Sequence, residues 1–260
     1  MLNDLIDIHL NGDIDLKRII KEDYDILYSD IVPDIDYNYA FLKNSNVNID
    51  EVLNNIKQDL KALNRKPAIY ILSNIMNDNL KSNYLELNHT DTWMVLDDIK
   101  EYKTDLNINY SRLLQEDLSE FVDTFMINFS SDDPNEPYQG LDDGYRKTFT
   151  DNFQSHDGFK SIYYCGKLNN KIICTTMGIY KNDSIILYAG SVDKELRGKG
   201  IFKDFLNYIV KDLKSMNINN ICLQTEKGYY PERLYSKVGF KEVLRGTFYN
   251  IKENNENEQN

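Results

Sequence analysis

The stretch from Ser184 to Leu213 constrains the fold of this chain more than any other segment. It begins with an apolar, β-branched run over residues 185–192, which is typical of a strand buried on both faces. A short turn follows and contains the sequence RGKG at residues 197–200. From Ile201 the apolar residues recur at helical spacing and would form one apolar face. The pattern predicts a strand, a glycine turn and a helix.

The start of this predicted helix is suited to an anion. The first N–H groups of a helix have no intrahelical partner, and the helix dipole adds partial positive charge there. Because Gly198 and Gly200 lack a β-carbon, a phosphate can approach these amides, and Arg197 and Lys199 can screen its charge. The alternative is a plain strand-to-helix turn that uses glycine only for its conformation.

Two common nucleotide-binding patterns fit this turn less well. A P-loop has a lysine followed by serine or threonine after its last glycine, whereas Ile201 and Phe202 follow here. The dinucleotide-binding pattern has three glycines, and this turn has two. Nucleotide binding therefore stays a minor alternative.

Two segments resemble motifs of the GNAT superfamily, the acyl-CoA-dependent N-acyltransferases. Residues 197–202, RGKGIF, resemble its cofactor-binding motif Arg/Gln-x-x-Gly-x-Gly/Ala, with Phe202 in place of the small sixth residue. Residues 231–240, PERLYSKVGF, resemble the last helix of the family and its ending Leu-Tyr-x-Lys-x-Gly-Phe. The resemblance extends over roughly residues 106–250 and is specific at the level of the superfamily.

The resemblance implies an α/β fold of the α+β type, with a mixed central sheet flanked by helices. In this fold the fourth and fifth strands splay apart, and the arm of acetyl-CoA lies between them. By similarity, the backbone at Ser191 and Val192 would pair with pantetheine, and the amides of residues 198–202 would hold the pyrophosphate. The implied acetyl-CoA-binding residues are Ser191, Val192, Arg197, Gly198, Lys199, Gly200, Ile201 and Phe202.

The resemblance also implies catalytic residues. Tyr235 corresponds to the general acid of the family, and a phenol with an unperturbed pKa of about 10 can protonate a departing thiolate. A tyrosine that only packs under the last helix is the alternative. Ile186 stands where some members carry a glutamate base, so Glu226, at the end of the fifth strand, is predicted to act through water. Solvent is the alternative base.

The predicted function is transfer of an acetyl group from acetyl-CoA to a primary amine. The alternative is a non-catalytic CoA-binding or interaction protein that retains the GNAT fold. Residues 130–144 form an acidic segment over the expected acceptor entrance, which favours a cationic amine, although an ordinary solvated loop has the same composition. The residues predicted to meet the acceptor are Asp132, Asp133, Glu136, Tyr138, Asp142 and Asp143.

The element order predicts three parts. Residues 1–105 are expected to form a degenerate, partial GNAT-like domain without chemistry, 106–251 the acetyltransferase domain, and 252–260 a disordered tail. The N-terminal part is predicted to contain a helix over 16–28, a strand over 37–42, a helix from 50, and strands over 67–72, 82–87 and 92–96. The C-terminal part is predicted to begin with a strand over 108–113, helices over 115–129 and 145–153, and hairpin strands over 161–166 and 171–180.

Charge and apolar patterning restrict the partners. The formal net charge is −12, and residues 1–105 hold 20 Asp and Glu against 11 Lys and Arg. Such a chain repels nucleic acid and favours cationic partners, although solubility alone also explains the charge. No apolar run reaches the roughly 20 residues of a membrane span, and the start lacks a signal-peptide pattern, so we expect a cytoplasmic protein.

Cysteine and histidine positions indicate neither disulfides nor metal binding. Cys165, Cys174 and Cys222 occur in apolar contexts without paired spacing, so they are predicted to be core thiols. His9 and His89 have no partner at metal-ligand spacing along the sequence, and surface or packing roles are expected for both. Oligomeric state is left open.

Overall fold

A computed structural model of the chain describes residues 1–77, 80–130 and 140–253. These residues form one mixed sheet of eleven strands with helices on both faces. The strands are β1 (Lys17–Ile20), β2 (Tyr24–Tyr28), β3 (Tyr39–Leu42), β4 (Ala68–Leu72), β5 (Leu85–Leu96), β6 (Asn109–Arg112), β7 (Lys160–Leu168), β8 (Lys171–Lys181), β9 (Ser184–Val192), β10 (Asn220–Glu226) and β11 (Phe240–Ile251). The helices are α1 (Leu2–Asn11), α2 (Ile49–Ala62), α3 (Leu118–Asn128), α4 (Gly144–Asp151), α5 (Ile201–Ser215) and α6 (Tyr230–Val238).

The sheet interleaves strands from the two parts of the chain. Its order is β1-β2-β3-β4-β11-β5-β10-β9-β8-β7-β6. Strand β5 therefore lies between β10 and β11 and is antiparallel to both, while β11 also pairs with β4. The predicted boundary at residue 105 thus divides the chain within a sheet that is continuous in the structure.

The predicted fold class is confirmed, together with most of the local elements. Strands β7, β8 and β9 form the expected antiparallel set, and β9 leads through the glycine turn into α5. Strand β10 and helix α6 follow where the family resemblance implies them. In the N-terminal part, β3, α2 and β4 have the predicted types and order.

The predicted helix over residues 16–28 is wrong, because this segment forms the hairpin β1–β2. Strand β2 lies between β1 and β3 and buries nearly every side chain, which a helix with one apolar face would not do. Asp25 is fully buried on β2, where its carboxylate pairs with Arg18 at 2.5 Å and Lys43 at 3.0 Å. Burial on two faces therefore overrides the helical spacing of the apolar residues.

Two further N-terminal predictions need correction. The short strands expected over 82–87 and 92–96 are one strand, β5, because β11 pairs along its whole length. Asn88 is accommodated by a register shift beside Phe248 rather than by a turn. Helix α1 was not predicted, since its acidic residues obscure an apolar face that buries Leu5 and Ile8.

The two faces of the sheet carry separate apolar clusters. Helices α1, α3 and α4 cover one face, and α5 and α6 cover the other. Helix α2 packs on the N-terminal strands in a third cluster. Across the described ranges, no helix combines the length and apolarity needed to cross a membrane. The predicted tail lies mostly outside the described residues, which end at residue 253.

Candidate active site

The candidate site is a wedge between β9 and β10. The two strands pair in parallel from Ser184 opposite Asn220 to Leu187 opposite Leu223. Beyond that point both continue through described residues without pairing to each other. The facing strand edges therefore present main-chain groups that an extended ligand can pair with, as in the addition of a strand to a sheet edge.

A β-bulge shapes the wall of this wedge on β9. The register between β8 and β9 shifts between Thr175 and Met177, and Ala189 takes a left-handed conformation with φ of 57°. This conformation is strained for a residue with a β-carbon. The Thr175 hydroxyl supports it by donating a 3.3 Å hydrogen bond to the Ala189 carbonyl. The bulge leaves Gly190 at the opening of the wedge.

Gly190 lies close to side chains of helices α5 and α6. A β-carbon there would lie 2.6 Å from Phe202 Cζ and 3.3 Å from the Tyr235 hydroxyl oxygen. Only glycine leaves room for both rings at this position. Sequence reasoning missed Gly190, because its closeness to Phe202 and Tyr235 depends on how α5 and α6 pack against β9.

The turn after β9 is open to solvent, as a phosphate site needs. Gly198 and Gly200 have φ of 81° and 76°, and a β-carbon on either would meet no atom within 4 Å. Helix α5 begins at Ile201, and the Gly200 carbonyl accepts from Asp204 N at 3.1 Å. The preceding N–H groups of the first turn have no intrahelical acceptor and are available to an anion.

The two basic side chains of the turn are placed differently. The Arg197 guanidinium donates to the carbonyls of Val192 and Asn128, each at 3.1 Å, and so ties the turn to β9 and to the end of α3. Lys199 is exposed, and its carbonyl accepts from the Thr104 hydroxyl at 3.1 Å. Lys199 is therefore the better placed of the two to meet a phosphate in solution.

Ser191 and Val192, the predicted pantetheine partners, are both buried at the end of β9. The Ser191 hydroxyl lies 2.6 Å from the Thr175 hydroxyl and accepts from the Asn128 side-chain amide at 3.0 Å. Their β8 partners are Thr175 and Cys174, so the other edge of β9 faces the wedge. The side-chain hydrogen bonds of Ser191 hold the end of β9 in place and do not use the main-chain groups on its wedge-facing edge.

Tyr235 lies partly buried on α6, with its ring 6.0 Å from that of Phe202 and 5.8 Å from that of Phe240. Burial raises the pKa of the Tyr235 phenol, so it stays protonated at neutral pH. The hydroxyl oxygen lies beside Gly190, 3.3 Å from the position of a β-carbon there.

Glu226 ends β10 and lies opposite Asp91 of β5. Glu226 is therefore next to a strand from the N-terminal part of the chain. Ile186 is buried in the core, and its hydrocarbon side chain can neither take nor give a proton. Asp193 is engaged in the turn, where its carboxylate accepts from Glu195 N at 3.1 Å.

The predicted acceptor-facing residues fall in two groups. Asp132, Asp133, Glu136 and Tyr138 lie outside the described residues. Asp142 and Asp143 lie at the start of α4, where Asp142 accepts from Gly144 N at 2.7 Å and Asp143 is 3.8 Å from Arg146.

Several solved structures are similar to this one over nearly the whole chain. A GCN5-related N-acetyltransferase from Kribbella flavida has a TM-score of 0.70 at 9% identity, covering 98% of this chain and 95% of that one. A functionally unknown conserved protein from Staphylococcus epidermidis has a TM-score of 0.66 at 11% identity, covering 95% and 97%. A tandem GNAT protein from the clavulanic acid biosynthesis pathway has a TM-score of 0.56 at 10% identity, covering 87% and 77%.

These similarities define the class of fold. The chain has the fold of the GNAT superfamily, as the motifs at residues 197–202 and 231–240 indicate. The tandem GNAT structure agrees with a partial GNAT-like part at the N-terminus. The sequence itself matches no protein-family model and no curated protein.

Proposed function

We propose that the chain is an N-acyltransferase that moves an acetyl group from acetyl-CoA to a primary amine. One observation carries this proposal: a β-carbon on Gly190, beyond the paired part of β9 and β10, would lie 3.3 Å from the Tyr235 hydroxyl, and the glycine turn follows β9 directly. A strand edge, an anion site and a proton donor are the three features that an acyl-CoA thioester requires. They converge on one opening.

In the proposed complex the pantetheine arm pairs with β9 at Ser191 and Val192. The pyrophosphate accepts hydrogen bonds from the backbone of residues 198–202, and Lys199 contributes a nearby positive charge. Arg197 acts through the turn, because its guanidinium is bonded to main-chain carbonyls. Phe202 lines the inner side of the opening against Gly190.

The proposed chemistry takes place at the open end of the wedge. The neutral amine attacks the thioester carbonyl, a carbon–nitrogen bond forms, and the carbon–sulfur bond breaks. The departing thiolate takes a proton from the Tyr235 hydroxyl, and the phenolate regains it from solvent. The proton lost by the amine passes to Glu226 through water, or to solvent directly. The products are the N-acetylated amine and CoA.

We further propose that the acceptor is cationic. Asp142 and Asp143 at the start of α4 add negative charge on the side of the sheet opposite α5 and α6. Replacing both by asparagine would raise the KM for a cationic amine and leave the KM for a neutral amine unchanged. Equal effects on both amines would exclude charge selection by these residues.

A non-catalytic CoA-binding protein is the second candidate, and Phe202 is the observation that favours it. The ring sits where the family has a small residue, and it packs on Gly190 at the opening. A ring in this position narrows the passage for the thioester. CoA binding without turnover of any amine would support this candidate.

Release of free thiol from acetyl-CoA across a panel of primary amines tests the proposal. We expect turnover for at least one amine and a loss of about 100-fold or more in kcat for Tyr235→Phe, with CoA affinity retained. Tyr230→Phe is the matched control, because Tyr230 is exposed on the same helix. Equal turnover by Tyr235→Phe and wild type would remove Tyr235 from the mechanism.

A further inference from the structure

Three metal-ligand side chains meet at the junction between the two parts of the chain. Asp36 belongs to a short turn before β3, while His89 and Asp91 are two residues apart on β5 and share one face of the sheet. His89 Nε2 lies 3.3 Å from Asp36 Oδ1 and 3.8 Å from Asp91 Oδ1. The three ligand atoms are all within 4.8 Å of one another.

The imidazole of His89 is oriented from outside this group. Its Nδ1 lies 2.8 Å from Asn88 Oδ1, and its ring stacks on Phe248 with centroids 4.7 Å apart. Because an amide oxygen only accepts, Nδ1 donates, and Nε2 of the neutral ring presents its lone pair to the two carboxylates. A lone pair facing two anions requires a cation between them, which is either a proton on Nε2 or a metal ion.

Asp91 is also held by outer partners. Its carboxylate accepts from the hydroxyl of Tyr70, and that hydroxyl in turn accepts from Trp93 Nε1 at 2.8 Å. Tyr70 and Trp93 are fully buried. Histidine and carboxylate ligands held in this way by second partners are the usual arrangement around protein-bound metals.

A further acidic residue lies next to the three ligands. Glu226 lies directly opposite Asp91 in the β5–β10 ladder, and its charge acts on both Asp91 and His89. Like charges directly opposite one another destabilise a sheet. A divalent ion at the three ligand atoms would offset the negative charge of Asp36 and Asp91, to which Glu226 adds across the ladder.

We propose that Asp36, His89 and Asp91 form a binding site for a divalent metal ion of the zinc class. Ligands at about 2.0–2.2 Å from a tetrahedral zinc ion are roughly 3.3–3.6 Å apart. The His89–Asp36 separation of 3.3 Å already fits this geometry, and Asp91 needs only a small side-chain rotation. The imidazole favours zinc over magnesium or calcium, which prefer ligand sets made of oxygen.

The ion would join the turn before β3 to β5. None of the three ligands takes part in the proposed acyl transfer, although Glu226 lies opposite Asp91, and metal binding and acyl transfer are tested by separate measurements. The sequence did not show this site, because Asp36 is 53 positions from His89 and the two meet only through the interleaved sheet.

Titration of untagged, chelator-treated protein with Zn²⁺ by calorimetry tests the site, with Co²⁺ absorption as a second probe. We expect one ion per chain, a raised melting temperature, and an affinity lowered at least about tenfold in Asp36→Asn and His89→Gln. Asp36 is half-exposed, so its variant is not expected to disturb folding. His156→Gln is the matched control, because His156 lies beside other carboxylates in a separate groove with Asp13 and Asp157.

Two results would overturn the proposal. The first is the absence of heat and of stabilisation when Zn²⁺ is added to the wild type. The second is a Zn²⁺ affinity that does not depend on the proposed ligands. It would be seen as unchanged affinity in both Asp36→Asn and His89→Gln, or as loss of binding in His156→Gln alone. Circular dichroism of each variant separates loss of the site from loss of the fold.

Discussion

Gly190 and Tyr235 lie close together: a β-carbon at Gly190 would lie 3.3 Å from the Tyr235 hydroxyl oxygen. The contact joins the bulge in β9 to helix α6, two elements that are far apart in the sequence. Gly190 lies on the part of β9 that no longer pairs with β10. A reacting thioester placed along β9 would have this proton donor within reach.

The glycine turn gives the first prediction. Gly200→Ala places a β-carbon in the space proposed for the pyrophosphate, and we expect CoA affinity to fall by about tenfold or more. The left-handed φ of 76° also makes alanine cost roughly 1 kcal/mol of stability. Gly158→Ala is the matched control, with a φ of 82° and equal open space in a different turn. Calorimetry should show normal CoA binding in that control; an equal loss in both variants would contradict a phosphate site at Gly200.

Phe202 gives the second prediction. Phe202→Ala restores the small residue of the family motif, and we expect it to widen the opening at Gly190 and to tighten CoA binding several-fold. The lost packing should cost about 1–2 kcal/mol, because the ring is half-buried. Tyr208→Ala, on the same helix, is the control for lost packing. Weaker CoA binding by Phe202→Ala would indicate that the ring contacts the ligand directly.

His9 gives the third prediction, which concerns stability and pH. Burial lowers the pKa of the His9 imidazole to about 4, below the unfolded value of 6.5. The unfolded chain therefore takes up the proton first, and stability present above pH 6.5 is lost as the pH falls toward 4. Between pH 7.5 and 5 this loss should be about 2 kcal/mol.

Urea unfolding of the wild type and of His9→Gln at both pH values measures this contribution. In the structure His9 Nε2 lies 2.9 Å from the Tyr39 hydroxyl and Nδ1 lies 3.3 Å from Gln224 Nε2. Glutamine keeps a polar side chain there without titrating, so the variant should lose less stability on acidification. Identical pH slopes would mean that His9 is protonated in the folded protein.

The interleaved sheet gives the fourth prediction. A chain that begins at residue 106 lacks β5 and exposes the edges of both β10 and β11. We expect it to aggregate or to show no cooperative melting transition, while the full chain unfolds in one step. A soluble fragment with its own sharp transition would show that residues 106–251 are an independent folding unit.

The sequence predicted the local elements correctly where they follow one another along the chain. Strand β9, the glycine turn and α5 follow one another directly, and the apolar period marks each boundary. Helix α6, which carries Tyr235, was predicted from a second local motif. Local pattern and tertiary position agree in these elements, because the strand is buried and the helix has a single apolar face.

Contacts between residues far apart in the chain could not be predicted from the sequence. The hairpin over residues 17–28 forms because β2 is buried between two strands, which the spacing of its apolar residues does not reveal. The hydrogen bond from Asn128 to Ser191 joins α3 to β9 across 63 positions, and Arg197 turns inward to the same helix end. Each contact depends on how whole elements pack.

The crystal structure of the protein with CoA tests the central proposal most directly. We expect the pyrophosphate on the amides of residues 198–202 and the pantetheine arm beside Ser191 and Val192, with its sulfur near the Tyr235 hydroxyl. CoA bound elsewhere on the sheet, or no CoA at saturating concentration, would contradict the proposed acyltransferase and leave the GNAT fold alone established.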